Sequence, residues 1–235
     1  MINLQQLSNP ITSYQITAVI DTALCVGAGG SSGSLADKPI VRNSEGNLLI
    51  PASQLKGRLR HECEKIARGL RWDICYSPNP QAMCPQRAGL AGNFERTEYD
   101  VSGYEGHHCL ICQIFGNPVL PSRVIFDDLI CTQDPDNLPE VLRPGVTINR
   151  RRHTAEEQKL YFLETSPANT QLRFTGHIHL SRVPVYAGAL ILAGLRHINA
   201  LGGSKSVGLG WLHWEFPALA LEQEAWDFLA QGGVQ

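Results

Sequence analysis

The sequence predicts an α+β domain, and two kinds of periodicity together with their order along the chain support this class. Apolar and polar residues alternate at positions 13–24 and 171–180, which is typical of strands with one buried face. Helices are predicted at positions 53–70 and 187–201, and further strands at positions 122–131 and 211–216. The elements therefore run strand, helix, strand, strand, helix, strand. This is the order of the ferredoxin-like (RRM-like) βαββαβ core, which has an antiparallel sheet.

The composition of the chain excludes several classes of protein. With 235 residues it can bury one substantial core, and we treat residues 1–235 as a single domain with insertions, although two domains also fit this length. No apolar run approaches the roughly 20 residues that span a bilayer, and the first ten residues do not resemble a signal peptide. We therefore expect a cytoplasmic protein. Seven cysteines without a secretion signal indicate reduced thiols or a bound metal rather than a disulfide framework.

The charge is unevenly distributed. A net charge of -2 is not typical of a protein that binds nucleic acid. However, thirteen of the twenty Lys and Arg residues fall at positions 37–73 and 143–159, so a local basic surface can form on a nearly neutral protein.

The first strand is predicted from four apolar residues at alternate positions between 14 and 20, and a Gly/Ser loop at positions 26–33 follows it. Asp37 comes next, among small residues and beside Lys38 and Pro39. This setting predicts a carboxylate exposed on a loop. An isolated loop aspartate is ordinarily a turn former, so the surrounding residues alone favour a structural role over a catalytic one.

The helix at positions 53–70 is predicted to start at Pro51, Ala52 and Ser53, with Ser53 capping free backbone N–H groups. Apolar residues recur at spacings of three and four, which gives one buried stripe and a largely basic outer side. The stripe comprises Leu55, Leu59, Cys63, Ile66 and Leu70.

Three basic residues and a glycine follow the helix start: Lys56, Gly57, Arg58 and Arg60. Glycine within a helix costs about 1 kcal/mol relative to alanine, so Gly57 suggests close approach of another molecule to the backbone. A phosphate chain suits such a position. The alternative is that these are ordinary surface charges.

Positions 72–116 form a predicted insertion with few periodic apolar residues and four cysteines, Cys75, Cys84, Cys109 and Cys112. The spacing of Cys109 and Cys112 lets two thiolates reach one ion, and the other two could complete a tetrahedral zinc site. The zinc would replace the core that this insertion lacks. His107 or His108 could substitute for a cysteine. Unrelated reduced cysteines and a redox pair are the alternatives.

A basic cluster occupies the segment at positions 143–165, including Arg150 and Arg151, and apolar residues follow it. A long hairpin explains this pattern, and common surface charge is the alternative. Further along the chain, a Gly-rich segment contains Gly202, Gly203, Lys205 and Ser206. Glycines expose backbone N–H groups to phosphate oxygens, but the spacing is not that of an ATP-binding Walker motif. This segment could also be an ordinary turn.

Four stretches resemble the RAMP superfamily of CRISPR-associated RNA-binding proteins, in the same order and over most of the chain. LLIPASQLKGRLR resembles the motif that leads into the first helix of the family, and CQIFGNP resembles a structural cysteine segment of type III members. VTINRRRHTAEEQKLYFLETSP is similar to the family's thumb, and LGGSKSVGLGW to its C-terminal Gly-rich signature. The similarity is greatest to backbone subunits of type III effectors, which act in antiviral defence.

The resemblance implies a subunit that binds CRISPR guide RNA, polymerises along it with further copies or related subunits, and cleaves the paired target RNA. Asp37 lies at the position of the family's metal-dependent RNA-cleaving aspartate, with Mg or Mn as the catalytic ion. Guide contacts are implied at Ser53, Lys56, Gly57, Arg58, Arg60 and the Gly-rich segment. The segment at 143–165 would be the thumb, although Asn149 stands where the family usually has an aspartate.

Two rival functions follow from the same residues. The chain could be a non-catalytic scaffold that binds guide RNA, or an endoribonuclease that processes guide RNA. Processing needs a positioned His or Tyr, and His61 is the candidate near the basic helix. Asp127 and Asp128 are interpreted as polar residues at a strand end.

Overall fold

The structure is a computed structural model that describes residues 11–27, 36–79, 81–85, 96–216 and 223–233. Most of the loop predicted at positions 26–33 lies outside these ranges, because only Val26 and Gly27 of it are described. Parts of the insertion predicted at 72–116 also lie outside them, at position 80 and positions 86–95.

An antiparallel sheet forms the centre of the molecule. Its strands are β1 (Ile11–Ile20), β2 (Leu49–Ile50), β3 (Val124–Phe126), β4 (Leu129–Cys131), β7 (Leu172–Ser181) and β8 (Leu212–Glu215). The strands lie in the order β2-β4-β7-β1-β8, and β3 also pairs with β7. The longest pairing joins β1 to β7 over ten residues, from Ile11 opposite Ser181 to Ile20 opposite Leu172.

Two helices, α1 (Ala52–Gly69) and α3 (Ala187–His197), pack against one face of this sheet. Alternate residues of β1 and β7, such as Ile16 and Phe174, face the helices and are buried. Gly194 allows the two helices to approach closely, because a Cβ there would lie 2.7 Å from Cys63 Sγ. The α+β class is therefore confirmed, and both predicted helices are present.

The second predicted strand is divided in two. Asp127 and Asp128 lie between β3 and β4. Asp128 accepts a hydrogen bond from Ala52 N at 2.7 Å and so caps the start of α1. The prediction that Ser53 caps this helix was wrong: the helix starts at Ala52, and Pro51 is its N-cap residue without a side-chain bond.

A two-stranded hairpin, β5 (Val141–Asn149) and β6 (Thr154–Thr165), forms its own sheet. At the tip, Asn149 Oδ1 accepts hydrogen bonds at 3.1 Å from the backbone N–H groups of Arg151 and Arg152. Several large apolar residues of the hairpin are exposed, including Ile148 and Leu160, each at 60 %. The hairpin is thus held chiefly by its own ladder of backbone hydrogen bonds.

The insertion contributes to the main core, which the sequence did not predict. It contains α2 (Leu110–Phe115), whose residues are all buried. Tyr99 and Trp72 are buried in the same cluster as the residues of α1 and α3. The expectation of a segment without a core was wrong, because its apolar residues face inward without the regular spacing that reveals a helix or strand in a sequence.

The C-terminal helix α4 (Gln223–Ala230) covers the insertion. Its Phe228 ring lies between Trp72 and Tyr186, with ring centroids 5.1 Å and 4.8 Å apart and nearly parallel planes. Trp72 Nε1 also donates a hydrogen bond to Leu229 O at 2.8 Å. In the described part of the chain, no helix combines the length and hydrophobicity needed to cross a membrane.

Candidate nucleic-acid interface and metal centre

Asp37 lies on an exposed loop that is fastened to the hairpin. Its backbone N–H donates to Phe162 O at 3.0 Å, and its Oδ2 accepts from Phe162 N at 2.7 Å. The other carboxylate oxygen, Oδ1, takes no part in this pair of bonds. The predicted exposure of Asp37 is therefore observed. The bond to Phe162 also gives the carboxylate a structural role that the sequence did not reveal.

The loop that follows Asp37 is held by Glu164, a buried residue of β6. Glu164 accepts a hydrogen bond from Ile40 N at 3.0 Å and forms an ion pair with Arg42 at 2.8 Å. The residues that follow β1 also reach the hairpin base, because Ser166 Oγ accepts a hydrogen bond from Leu24 N at 2.8 Å. Three segments therefore meet here: the loop, the hairpin base and the end of β1. Position 37 is thus fixed relative to the hairpin.

The Gly-rich segment packs against the same end of β1. Gly203 N donates to Cys25 O at 2.6 Å, and Gly210 N donates to Ala23 O at 2.8 Å. Gly202 has a φ of +86°, and a Cβ there would lie 2.5 Å from Cys25 O, so the close packing requires glycine. Lys205 and Ser206 remain exposed. The loop that holds Asp37 and the Gly-rich segment are therefore both anchored to the residues that follow β1.

The basic residues of α1 do not all point freely into solvent. Arg58 forms an ion pair at 2.9 Å with Glu62, which is 1 % exposed. Lys56 Nζ donates to Ser122 Oγ at 2.9 Å, and partial burial together with the charge of Arg60 lowers its pKa. Arg60 NH1 donates to Gly116 O at 3.0 Å. The assignment of these three side chains to phosphates stays a prediction, and each already has a partner within the chain.

Gly57 and Ser53 lie on the exposed side of the same helix. A Cβ on Gly57 would meet no atom within 4 Å. No close packing by the described part of the chain therefore requires glycine here. Arg150 and Arg151, the predicted contacts of the hairpin, are exposed at its tip, far along the chain from α1.

The four predicted cysteine ligands come together. Their sulfur atoms all lie within 4.8 Å of one another and all four residues are buried. Cys75 Sγ lies 3.6 Å from Cys112 Sγ and 3.7 Å from Cys109 Sγ. Zinc bound about 2.3 Å from each sulfur would separate neighbouring sulfurs by about 3.8 Å, so this set of donor atoms fits tetrahedral zinc.

The thiols influence one another strongly. Hydrogen bonds from Cys109 and Cys112 lower the pKa of Cys75, and hydrogen bonding to Cys112 and Cys75 raises the pKa of Cys109 well above its ordinary value. One thiolate is thus stabilised at the expense of the next, because several negative charges in one buried cluster repel one another. A divalent cation removes this conflict.

The two histidines considered as substitutes have other partners. His107 Nδ1 lies 2.8 Å from Asp100 Oδ1, and His108 Nδ1 lies 2.9 Å from the Asn117 side-chain nitrogen. The sulfur of Cys84 accepts a backbone hydrogen bond from Cys109 N at 3.2 Å. The cluster of four therefore consists of cysteines alone.

Arg60 connects this cluster to α1, and the sequence did not predict this. Its NH2 group lies 3.6 Å from Cys112 Sγ, and its Nε lies 3.2 Å from Glu64 Oε1. Burial lowers the pKa of Arg60, but the nearby Cys112 and Glu64 outweigh this and raise it. A four-residue spacing could suggest the pair with Glu64. No local pattern indicates the contact with Cys112, 52 residues away.

A comparison with known protein families identifies the superfamily of the chain. A family model for the RAMP superfamily matches residues 17–213, which include the Asp37 loop, α1, the four cysteines, the hairpin and the Gly-rich segment. No curated protein matches the chain.

Proposed function

This chain belongs to the RAMP superfamily of CRISPR-associated proteins, and from this premise we propose that it is a guide-RNA-binding backbone subunit of a type III effector. In this role it cleaves target RNA paired with the guide, in a reaction that depends on a divalent metal. Its partners are guide RNA, target RNA, further copies of itself or related subunits, and other effector proteins in a cytoplasmic ribonucleoprotein.

One observation carries the proposal: three of the elements expected to contact RNA, namely the Asp37 loop, the base of the hairpin and the Gly-rich segment, meet at the end of β1. The Asp37 loop is fastened to the hairpin by Phe162 and Glu164, and the Gly-rich segment packs on Cys25. A subunit that binds guide RNA beside a cleavage position needs such a fixed spatial relation between its parts. Recognition would act through backbone and shape, while base pairing supplies sequence specificity.

The finer features of the architecture belong to the same proposal. We interpret β1, α1, the β3–β4 pair, β7, α3 and β8 as a ferredoxin-like βαββαβ core, which their order along the chain and in the sheet supports. Residues 72–116 would be the zinc-binding insertion, and residues 143–165 the thumb, which lie within the hairpin formed by β5 and β6.

Asp37 is the proposed catalytic residue. Its exposed carboxylate can supply one oxygen to Mg or Mn, ions that proteins often hold with one or two carboxylates while substrate phosphates complete the coordination. The bound ion would stabilise the charge that develops at the scissile phosphate. The bond from Phe162 N engages Oδ2, so Oδ1 is the oxygen that would bind the ion.

A non-catalytic scaffold is the second candidate, and the Asp37–Phe162 bond favours it. A carboxylate that accepts a backbone hydrogen bond at 2.7 Å has a sufficient structural reason to be present. Guide processing is the third candidate, and it would use His61, which is exposed on α1. Incubating the protein with precursor RNA and no target separates processing from target cleavage.

The decisive experiment compares Asp37→Asn with Asp37→Ala in complexes in which this subunit is the only nuclease. Asparagine retains an acceptor for Phe162 N but lacks the charge. If Asp37 is a metal ligand, both variants should cleave target RNA at least about a hundredfold more slowly in magnesium or manganese, while guide and target binding stay intact. Full cleavage by Asp37→Asn would reject the catalytic role and favour the scaffold.

A further inference from the structure

Arg60 is a cation of α1 whose guanidinium group is directed at the cysteine cluster and not outward into solvent. Each of its three nitrogen atoms has a partner within the chain. Nε lies 3.2 Å from Glu64 Oε1, Nη1 donates to Gly116 O at 3.0 Å, and Nη2 lies 3.6 Å from Cys112 Sγ. The side chain is 23 % exposed. This set of contacts gives Arg60 a function apart from the contact with guide RNA that the sequence predicts.

Two of the three partners lie at the end of α2. Cys112 belongs to this helix, and Gly116 directly follows it and donates from its N–H group to Cys112 O at 2.9 Å. The last carbonyl groups of a helix lack partners within the helix, and arginine side chains often supply the missing donors. Arg60 therefore binds a free carbonyl oxygen and a sulfur atom of the same helical turn.

The turn that follows α2 is fixed in position. Gly116 has a φ of +83°, and a Cβ there would lie 2.7 Å from Ser122 N, so this close packing requires glycine. Ser122 Oγ in turn accepts a hydrogen bond from Lys56 Nζ at 2.9 Å. Lys56 lies one helical turn before Arg60 on α1. Two cations of α1 thus hold the end of α2 and the turn beyond it, which sets the position of Cys112 relative to α1.

The charge of the cysteine cluster explains why a cation is needed here. Four thiolates around one divalent ion leave a net negative charge, and all four cysteines are buried. A buried charge is costly unless it is paired with an opposite charge or accepts hydrogen bonds. Arg60 supplies both a positive charge and an N–H group directed at Cys112 Sγ. Partners of this kind around the ligand atoms ordinarily orient the ligands of a metal.

Arginine suits this position better than lysine does. Its planar guanidinium presents several N–H groups in a fixed arrangement, so it can reach Gly116 O, Cys112 Sγ and Glu64 at the same time. Glu64 is four residues further along α1 and 13 % exposed, and it anchors Nε. A lysine would retain the charge, but its single nitrogen could not serve the carbonyl oxygen, the sulfur and the carboxylate together.

We propose that Arg60 is the positioning residue of the cysteine metal centre. Its guanidinium holds Cys112 and the end of α2 in place and balances the charge of the thiolates when zinc is bound. The inference rests on the zinc-binding insertion proposed above, and it does not depend on the role of Asp37. The protein should retain zinc less firmly when the guanidinium is removed.

The test compares Arg60→Met and Arg60→Lys with the wild type, as full-length proteins that acquire zinc during expression. Methionine keeps an apolar stem but has neither the charge nor the N–H donors. Transfer of zinc to increasing concentrations of a chelating indicator measures how firmly each protein retains the ion. Arg60→Met should bind zinc about 10- to 100-fold more weakly than the wild type. Arg60→Lys should lie between the two, because it keeps the charge but loses the planar group.

A second measurement reports on the sulfur atoms themselves. Full-length protein expressed in cobalt-supplemented medium should show the charge-transfer absorption of thiolate bound to cobalt. Removing the N–H donor from Cys112 Sγ raises the energy of the sulfur lone pairs, so the absorption of Arg60→Met should move to longer wavelength. If Arg60 served only the stability of the fold, its loss would lower the melting temperature without moving this absorption.

Lys65→Met is the matched control, because Lys65 is a cation of the same helix that is paired with Glu62 at 3.1 Å. It should retain zinc and show the cobalt absorption as the wild type does. Circular dichroism and thermal melting establish that each variant is folded.

The inference is overturned if folded Arg60→Met retains zinc as firmly as the wild type, if its cobalt absorption does not move, or if Lys65→Met loses zinc equally. Should Arg60→Met fail to fold, wild-type zinc retention in Arg60→Lys overturns it. A wild type that acquires neither zinc nor cobalt would contradict the zinc centre itself, and the inference would fall with it.

Discussion

At the scale of single residues, partners within the chain divide the basic side chains into two groups. Arg58 and Arg60 are bound to Glu62, Glu64, Gly116 and Cys112. The arginines of the hairpin tip are exposed, and Lys205, also exposed, donates to a backbone oxygen, Gly202 O, at 3.1 Å rather than to a carboxylate. A guanidinium that already stabilises a buried carboxylate contributes less to phosphate binding than its charge alone suggests, because moving it leaves that carboxylate unpaired. Variants at the two kinds of position should therefore behave differently.

Removing one phosphate contact should change the salt dependence of RNA binding. Lys56→Ala and Lys205→Ala should each reduce the slope of log affinity against log salt by about 0.7 for single-stranded RNA. Lys65→Ala is the control, since Lys65 is paired with Glu62 at 3.1 Å and is not assigned to RNA. Binding isotherms at four salt concentrations measure the slopes. If both assigned variants retain the wild-type slope, the guide lies elsewhere.

Substitution of Gly57 should change protein stability and RNA binding in opposite directions. Gly57→Ala should stabilise the protein by up to about 1 kcal/mol, because alanine favours the helix and the added Cβ meets no atom within 4 Å. RNA affinity should fall by about tenfold, since the methyl group would occupy the place of the phosphate chain. Denaturant unfolding and RNA titration measure the two effects.

Gly69→Ala is the matched control for this experiment, because it lies in the same helix and its Cβ would also meet no atom within 4 Å. It should leave RNA affinity unchanged. Equal RNA affinity in wild type and Gly57→Ala would remove the backbone of α1 from the proposed interface.

At the scale of elements, Glu62 joins α1 to α3. It is 1 % exposed, and it lies 3.0 Å from His197 Nδ1 at the end of α3 as well as near Lys65 and Arg58. Burial alone would raise its pKa, but hydrogen bonds from His197 and Lys65 and the charge of Arg58 outweigh burial and lower it. The carboxylate is therefore stabilised in its charged form by both helices.

This lowered pKa predicts how stability depends on pH. A carboxyl group with a lower pKa in the folded state contributes stability above its unfolded pKa, near 4.3, and loses this contribution as pH falls through the folded pKa. Glu62→Gln should cost about 2 kcal/mol at neutral pH and less in acid. Glu157→Gln, an exposed change on the hairpin, is the control. Urea unfolding from pH 3 to 7 measures this, and parallel curves for Glu62→Gln and wild type would contradict it.

Elements with a regular period were predictable from the sequence, and contacts between distant segments were not. The stripe of α1 and the alternation of β7 repeat every few residues, so each shows its buried face locally. The division between β3 and β4 depends on Asp128 reaching Ala52, 76 residues away. The spacing of Cys109 and Cys112 indicated the cysteine cluster. By contrast, the contact between Arg60 and Cys112 joins residues 52 positions apart, and no local pattern reveals it.

At the scale of the whole molecule, the insertion and the central domain share one core. Tyr99, Leu110 and Trp72 are buried in the same cluster as Leu59 of α1. Loss of zinc from the cysteines should therefore destabilise the entire molecule rather than the insertion alone, because the two parts unfold cooperatively when they share buried surface.

Chelation should thus lower the temperature of a single unfolding transition. Cys112→Ser should lower the melting temperature more than Cys25→Ser, since Cys25 is a buried cysteine outside the cluster of four. Calorimetry and metal analysis measure these effects. Less than one zinc per chain in protein purified without chelator, or an equal fall in melting temperature in the two variants, would contradict the zinc assignment.

Helix α4 follows all the strands and the other α-helices along the described chain, so its contacts can form only after those elements have been synthesised. Phe228 lies between Trp72 and Tyr186, yet it is synthesised 156 residues after Trp72, which takes roughly 8 to 30 s at ordinary rates of translation. During this interval Trp72 lacks its ring contact with Phe228 and its hydrogen bond to Leu229 O. The insertion therefore acquires these contacts only after Phe228 and Leu229 have been synthesised, and until then its incomplete packing leaves its thiols more accessible to oxidation.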